Sequence, residues 1–224
     1  MSVVDDASFR KAFDVLWRRF RVANWAEGRD PFEVLISIVV SQNSTDAITE
    51  KVVRALTAEM PVRPATIARA NAAKLVRILR PAGLAPQKVP RIRQLAREVI
   101  RRHDGDLANL LDLPTAEARA ALMDLPGIGP KTADVWLSLV AGRDTMPVDT
   151  HIARLAQRWR LVRGARYEGT TAKLKELIPP KRRARGHLVL IQFGRDVCQA
   201  RRPRCEVCPV YNLCDANVKR PREM

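Results

Sequence analysis

Cysteine occurs four times in 224 residues, and all four fall in one stretch, at Cys198, Cys205, Cys208 and Cys214. A secreted disulfide framework spreads its cysteines to tie distant segments together; a single tight cluster points to local metal ligation in a reducing compartment. Four thiolates suit either structural zinc or an iron–sulfur cluster. Structural four-cysteine zinc sites commonly use two close pairs. Here one Cys-x2-Cys is flanked by gaps of six and five residues, which favours iron–sulfur and leaves zinc open.

A second group with chemical potential is Leu125-Pro126-Gly127-Ile128-Gly129-Pro130-Lys131. Two glycines around one apolar residue make a turn expected to be too tight for side chains at either position, with positive φ available at both. Ile128 can pin the turn into a core while neighbouring N–H groups face outward. Just beyond lies a helix N-terminus with unpaired amides and partial positive charge, so the turn and helix together suit a phosphate. Lys131 lies in the first helical turn. An ordinary lysine is protonated at neutral pH and cannot attack, and the macrodipole works against that charge. Asp149 stands immediately before another helical pattern, where a carboxylate is a natural N-cap.

These groups must be positioned by helices, because the periodicity is helical almost throughout. Phe9, Phe13, Leu16, Trp17 and Phe20 form one apolar stripe. Asp30, with Pro31 at the first helical position and Glu33 three residues on, resembles a capping box. The helix it starts, Phe32 to Val40, is apolar nearly all round and belongs at the centre of a bundle. Ile48, Val52 and Leu56 mark a third helix, and Leu75, Ile78 and Leu79 a fourth. Val89, Ile92, Leu95, Ala96 and Val99 mark a fifth, with Arg91, Arg93, Arg97, Arg101 and Arg102 on its outer face. Further patterns run at about 114–124, 131–141, 150–160, 169–178 and 184–195. Strand alternation is absent, so the chain reads as all-α with about ten helices. Two helical subdomains are expected: a central bundle at 30–143 carrying the hairpin, and a terminal domain of 1–29 with 144–224 carrying the cysteines at 198–214. The stretch Pro81 to Lys88 echoes Pro126 to Lys131, which makes Lys88 a decoy for Lys131. Trp136 falls at a core spacing. His151 reads as structural, and His103 and His187 carry no signal.

Forty Lys and Arg against 24 Asp and Glu give a net charge of +16, which calls for a polyanionic partner. No apolar run approaches the roughly 20 residues needed to cross a bilayer, and the N-terminus lacks a secretion signal. Membrane attachment is therefore not expected. Nucleic acid is the implied partner, in the cytoplasm and associated with the nucleoid. No long apolar surface stripe is left over, so a monomer is expected.

Over a longer stretch the motifs become specific. Leu125 to Ala133, followed by Val148-Asp149-Thr150-His151-Ile152, resembles the signature of the endonuclease III branch of the helix-hairpin-helix DNA glycosylases. The resemblance runs from about Pro31 through Ser41-Gln42-Asn43-Ser44-Thr45-Asp46 to Cys214, some four-fifths of the chain. It implies a base-excision repair enzyme, a bifunctional DNA N-glycosylase and abasic-site lyase acting on oxidised pyrimidines in duplex DNA. By the same resemblance Lys131 is the catalytic lysine and Asp149 the catalytic aspartate. Cys198, Cys205, Cys208 and Cys214 hold a [4Fe–4S] cluster. Leu125, Pro126, Gly127, Ile128, Gly129 and Thr132 are the hairpin's DNA contacts, and Gln42 fills the space left by an extruded nucleotide. Arg201, Arg202 and Arg204, tethered between two cysteines, meet the backbone, and the loop at 83–87 meets the opposite strand.

The resemblance also discriminates. Adenine-mismatch glycosylases share the hairpin but lack a lysine at the position of Lys131, so Lys131 implies lyase chemistry. The alternatives are a glycosylase for thymine or uracil opposite guanine, an enzyme confined to abasic sites, and a non-catalytic DNA-binding module. Trp136 replaces the family's usual small aliphatic residue, Pro130 replaces a basic residue common in bacterial relatives, and the 104–124 segment is longer. These departures leave the base-recognition pocket open.

Overall fold

The computed structural model describes residues 5–164 and 166–214. Among them are eleven α-helices and no strand: α1 (Asp6–Arg19), α2 (Pro31–Ser41), α3 (Asp46–Glu59), α4 (Pro64–Arg69), α5 (Ala72–Leu79), α6 (Ala85–His103), α7 (Thr115–Met123), α8 (Pro130–Leu139), α9 (Thr150–Arg158), α10 (Tyr167–Leu177) and α11 (Pro180–Asp196). The fold is all-α. The helix absent from the sequence reading is α4, six residues with Pro64 at its start, too short to display a stripe. Two compact units divide the chain, one spanning Ala26–Arg143 and the other formed by the residues before 26 and after 143.

In the 26–143 unit α2 is the central strut, and it packs on α3, α6 and α8. All residues from Val34 to Val40 are buried, as an all-round apolar sequence requires. Asp30 caps its start, accepting hydrogen bonds from the Phe32 and Glu33 amides at 3.0 and 3.1 Å. The reciprocal half of the expected capping box is missing, because Glu33 instead accepts from Arg29 Nε at 3.2 Å. Trp136 of α8 is wholly buried, and its Nε1 donates to the Pro31 carbonyl at 2.9 Å. The indole thus fills the core and ties the start of α2 to α8. On α6 the outward arginine stripe is only partly as expected. Arg93 is half-buried and bonds the Ala68 carbonyl, because α4 packs on this side of α6. Arg101 and Arg102 share Glu98, whose carboxyl they hold at about 2.

In the other unit α1 lies on α10 and α11, and α9 packs on α10 and α11. Its core is aromatic. Trp159 stacks on Phe193 with centroids 5.9 Å apart and meets Phe9 edge-on at 5.6 Å. Contact between α9 and α11 is close because residue 194 is glycine; a Cβ there would lie 2.9 Å from His151 Cβ.

Trp136→Phe keeps a ring in the core but removes the indole bond that ties the Pro31 carbonyl to α8. The expected loss is about 1 kcal/mol, read as a lower denaturant midpoint at unchanged helical content.

Candidate active site and nucleic-acid interface

The α7–α8 hairpin is built by burial at two points. Leu125 and Ile128 are 2% and 5% exposed, and the Ile128 amide donates to the Leu125 carbonyl at 3.2 Å. The two glycines differ, contrary to the sequence reading. Gly127 has φ +79°, whereas Gly129 is extended at φ −99°. A Cβ on either would meet nothing within 4 Å, so tightness inside the protein requires neither glycine. Gly127 answers to backbone conformation, and the open space at Gly129 is available to an outside group.

Gly129 is the N-cap of α8 and supplies no side-chain cap; Pro130 follows without an N–H. Among the described residues, the amides of Gly127, Gly129, Lys131 and Thr132 have no acceptor within the protein. Four donors around one helix start suit an anion such as a phosphate. The side chains of Leu125, Ile128 and Thr132 are buried, so these residues can meet DNA only through the main chain.

Lys131, the second residue of α8, is exposed, and its side chain makes no hydrogen bond or ion pair among the described residues. Lys88 is its opposite. It is 6% exposed, and its Nζ donates to the Val40 and Ala82 carbonyls at 2.9 and 2.8 Å. The two lysines sit in similar local sequence, and packing alone distinguishes the nucleophile candidate from the buried cross-link. Gln42 caps the end of α2, half-buried, followed by Asn43 at φ +59°.

In the other unit Asp149 is the N-cap of α9, 9% exposed, accepting from the Ile152 amide at 2.8 Å. The segment leading to it is held from α10 and α11. Thr171 Oγ1 donates to the Met146 carbonyl at 3.2 Å, Arg183 pairs with Asp144, and the buried His187 ring bonds the Pro147 carbonyl at 3.0 Å. His187 thereby fixes the chain two residues before Asp149. Its sequence carries no mark of this, since a lone histidine in an apolar helix has no local signature. His151 is engaged by Arg154 at 3.1 Å.

The same helix α9 organises the cysteines. Arg154 donates to the Gly194 and Cys198 carbonyls at 2.7 and 3.2 Å. Arg158 reaches the Gln199 and Ala200 carbonyls at 2.8 and 2.7 Å, and its Nη1 lies 3.1 Å from Cys198 Sγ. Neither arginine was expected from sequence. Cys198, Cys205, Cys208 and Cys214 border one cavity with Trp159, Phe193, Val197, Pro203, Arg204 and Val210, and no carboxylate or imidazole lines it. Burial pushes the Cys198 thiol up, and Cys208 up to about 11. Among the described residues no three His, Cys, Asp or Glu are arranged for a single metal ion. Four thiols around an apolar cavity, with an N–H donor on one sulfur, fit the donor set of a [4Fe–4S] cluster. In the tethered loop Arg201 and Arg202 are exposed without a partner among the described residues, while Arg204 faces Glu206 at 3.8 Å.

Comparison with known proteins agrees with this geometry. Residues 36–180 match the HhH-GPD superfamily base excision DNA repair protein family, and residues 198–214 match the iron–sulfur binding domain of endonuclease III. Endonuclease III of Escherichia coli (strain K12) is 34% identical over 191 residues, covering 84% of this chain and 85% of that protein. Endonuclease III of Thermotoga maritima is 32% identical over 186 residues, covering 83% of each. A trapped covalent endonuclease III–DNA intermediate superposes with a TM-score of 0.83 at 30% identity, over 94% of this chain and 96% of that one. A thermostable thymine-DNA glycosylase, at 23% identity and a TM-score of 0.75 over 94% and 95%, shares the fold.

The two hairpin glycines should separate on mutation. Gly127→Ala, forced to a left-handed φ, should lose about 1–2 kcal/mol of stability. Gly129→Ala should melt within about 0.5 kcal/mol of wild type yet bind duplex DNA roughly ten-fold more weakly, because its Cβ occupies space at the open amides. Thermal unfolding and fluorescence anisotropy on one DNA duplex check both.

Proposed function

This chain belongs to the HhH-GPD superfamily of base excision DNA repair proteins, in its endonuclease III branch, and we propose that Lys131 is its nucleophile. It is a DNA glycosylase and abasic-site lyase that works on double-stranded DNA and carries a [4Fe–4S] cluster. The observation that carries the residue assignment is the unpartnered, exposed Lys131 amine beside a hairpin whose amides await a phosphate.

The chemistry proceeds from these residues. The hairpin amides grip the backbone phosphate and set the register of the damaged nucleotide, which must leave the stack for its sugar to be reached. Lys131 Nζ, in its neutral form, forms a bond to C1′ as the bond from C1′ to the base nitrogen breaks, and the base departs with a proton. Loss of the amine proton and opening of the sugar leave an iminium between Nζ and C1′. That cation acidifies the C2′ hydrogen; its removal expels the 3′ phosphate by β-elimination and cuts the strand. The Asp149 carboxylate stabilises the positive charge that grows on the sugar. Gln42 fills the vacated space, and the 83–87 loop meets the opposite strand. Thymine glycol and related oxidised pyrimidines are the proposed lesions, and the bacterial nucleoid the place of work. No helix among the described residues is long and apolar enough to cross a membrane.

When bound, the cluster supplies a rigid anchor between Cys198 and Cys205, from which Arg201 and Arg202 project toward phosphates. Backbone contacts of this kind should make affinity fall steeply with salt.

Duplexes bearing thymine glycol, uracil opposite guanine, a G·T mismatch or an abasic site separate the possible substrates when incubated with and without borohydride. The thymine glycol duplex should be cut and trapped. Lys131→Ala should abolish trapping and cutting, and trapping by that variant would move the nucleophile elsewhere. Asp149→Asn isolates charge from capping, because asparagine caps as well as aspartate. Its melting temperature should hold while excision falls roughly a hundred-fold, the scale of removing one preorganised electrostatic group.

A further inference from the structure

The mechanism leaves one buried cation unused. Lys88 sits in the first turns of α6, 6% exposed, and no carboxylate pairs with it among the described residues. Burial pushes its ammonium below the usual lysine range. Burying an ammionium-type charge without a counter-ion is costly unless hydrogen bonds offset it. Lys88 has two such bonds, both to main-chain carbonyls, and they lie on separate segments.

The first is Val40, in the last turn of α2. A helix end leaves four carbonyls without intrahelical donors, and at α2 each is taken differently. Ser41 Oγ bonds Ile38 at 2.7 Å, the Gln42 amide bonds Val39 at 3.3 Å, Lys88 Nζ bonds Val40, and the Ser44 amide bonds Ser41 at 3.0 Å. Lys88 is thus a distant member of the cap from which Gln42 emerges, placed where the helix dipole favours a cation.

The second is Ala82, in the turn between α5 and α6. That turn ends in Leu84, which is 52% exposed and held at φ +52°, a left-handed conformation that a leucine adopts only when its surroundings impose it. Lys88 grips this residue from both sides. Its Nζ holds the Ala82 carbonyl, two residues before Leu84, and its own amide donates to the Leu84 carbonyl at 2.8 Å. One lysine therefore joins the helix end that presents Gln42 to the strained turn that presents a large apolar side chain outward.

We propose that Lys88 is a positioning residue, setting the spacing between Gln42 and Leu84 so that the two segments engage the opened duplex as one rigid unit. This rests on the reading that both segments meet DNA at the extruded nucleotide. A cross-link through two carbonyls suits the task, because it fixes backbone rather than side chains and leaves Gln42 and Leu84 free to touch the bases.

The test uses the holoenzyme and two readouts. One is the fluorescence rise of 2-aminopurine placed opposite a tetrahydrofuran abasic site, which reports insertion into the stack. The other is the single-turnover excision rate on a thymine glycol duplex, normalised to the fraction of enzyme trapped by borohydride. Lys88→Met, which keeps length and loses the donors, should lower both about ten-fold, since a displacement of about 1 Å at a site can cost up to a hundred-fold. Gln42→Ala with Leu84→Ala should lower the fluorescence rise, and adding Lys88→Met to that pair should cause no further loss. If Lys88→Met does not fold, Lys88→Gln, whose shorter amide keeps one bond at most, carries the same comparison with a smaller expected loss. A Lys88 variant with normal rate and fluorescence per active molecule overturns the proposal, as does a full additional loss in the triple variant. If the Gln42 and Leu84 substitutions leave the fluorescence intact, the DNA reading of those segments fails and the Lys88 role falls with it. If they lower it while the Lys88 variants do not, only the Lys88 role falls.

Discussion

Backbone groups at helix ends must find partners, and the way each end is treated decides what this protein can bind. At the end of α2 every orphan carbonyl has a donor, one of them Lys88. At the start of α9 the Asp149 carboxylate takes the Ile152 amide. At the start of α8 the rule is relaxed: Gly129 offers no side chain, Pro130 no N–H, and the neighbouring amides stay open. An exposed set of donors loses little by facing water and gains when a phosphate replaces it. Incomplete capping is what leaves the α7–α8 hairpin with donors to offer an anion.

In the other unit α9 serves two ends at once. Its first turn carries Asp149, and its later turns carry Arg154 and Arg158, which hold the carbonyls of residues 198–200. A nine-residue helix spans about 13 Å at 1.5 Å per residue. The cluster loop and the carboxylate are thus anchored to one stiff rod, with Gly194 allowing α11 to lie close against it. In the proposed mechanism the cluster acts mechanically, holding a loop whose Arg201 and Arg202 are exposed, and the covalent chemistry is assigned to Lys131.

Much of this was legible in the sequence because it is local. The stripe at Phe9, Phe13 and Leu16, the apolar α2, the Asp30 and Asp149 caps and the buried spacing of Trp136 all depend on residues within a few turns of one another. Departures from that reading have both local and distant causes. Glu33 turns to Arg29, four residues away, rather than closing its capping box, whereas Arg93 is drawn to the Ala68 carbonyl where α4 packs on α6. His187 gains its role from Pro147, forty residues away. The expectation of a turn too tight for side chains at both hairpin glycines, with positive φ available to each, treated them as equivalent, but the chain enters α8 from an extended Gly129 and makes its reversal at Gly127.

Sequence alone determined the helical class, the clustering of four cysteines, the hairpin and a lysine in the first turn of a helix. All of these follow from residue type and short spacing, which act within one element. Only tertiary structure decided what each of two similar lysines does. Lys88 and Lys131 each follow a Pro/Gly turn near a helix start, yet one is sealed against the carbonyls of two other segments and the other stands in solvent. Burial is a property of what packs over a residue, and at Lys88 one of the two carbonyls that hold it comes from a residue 48 positions away.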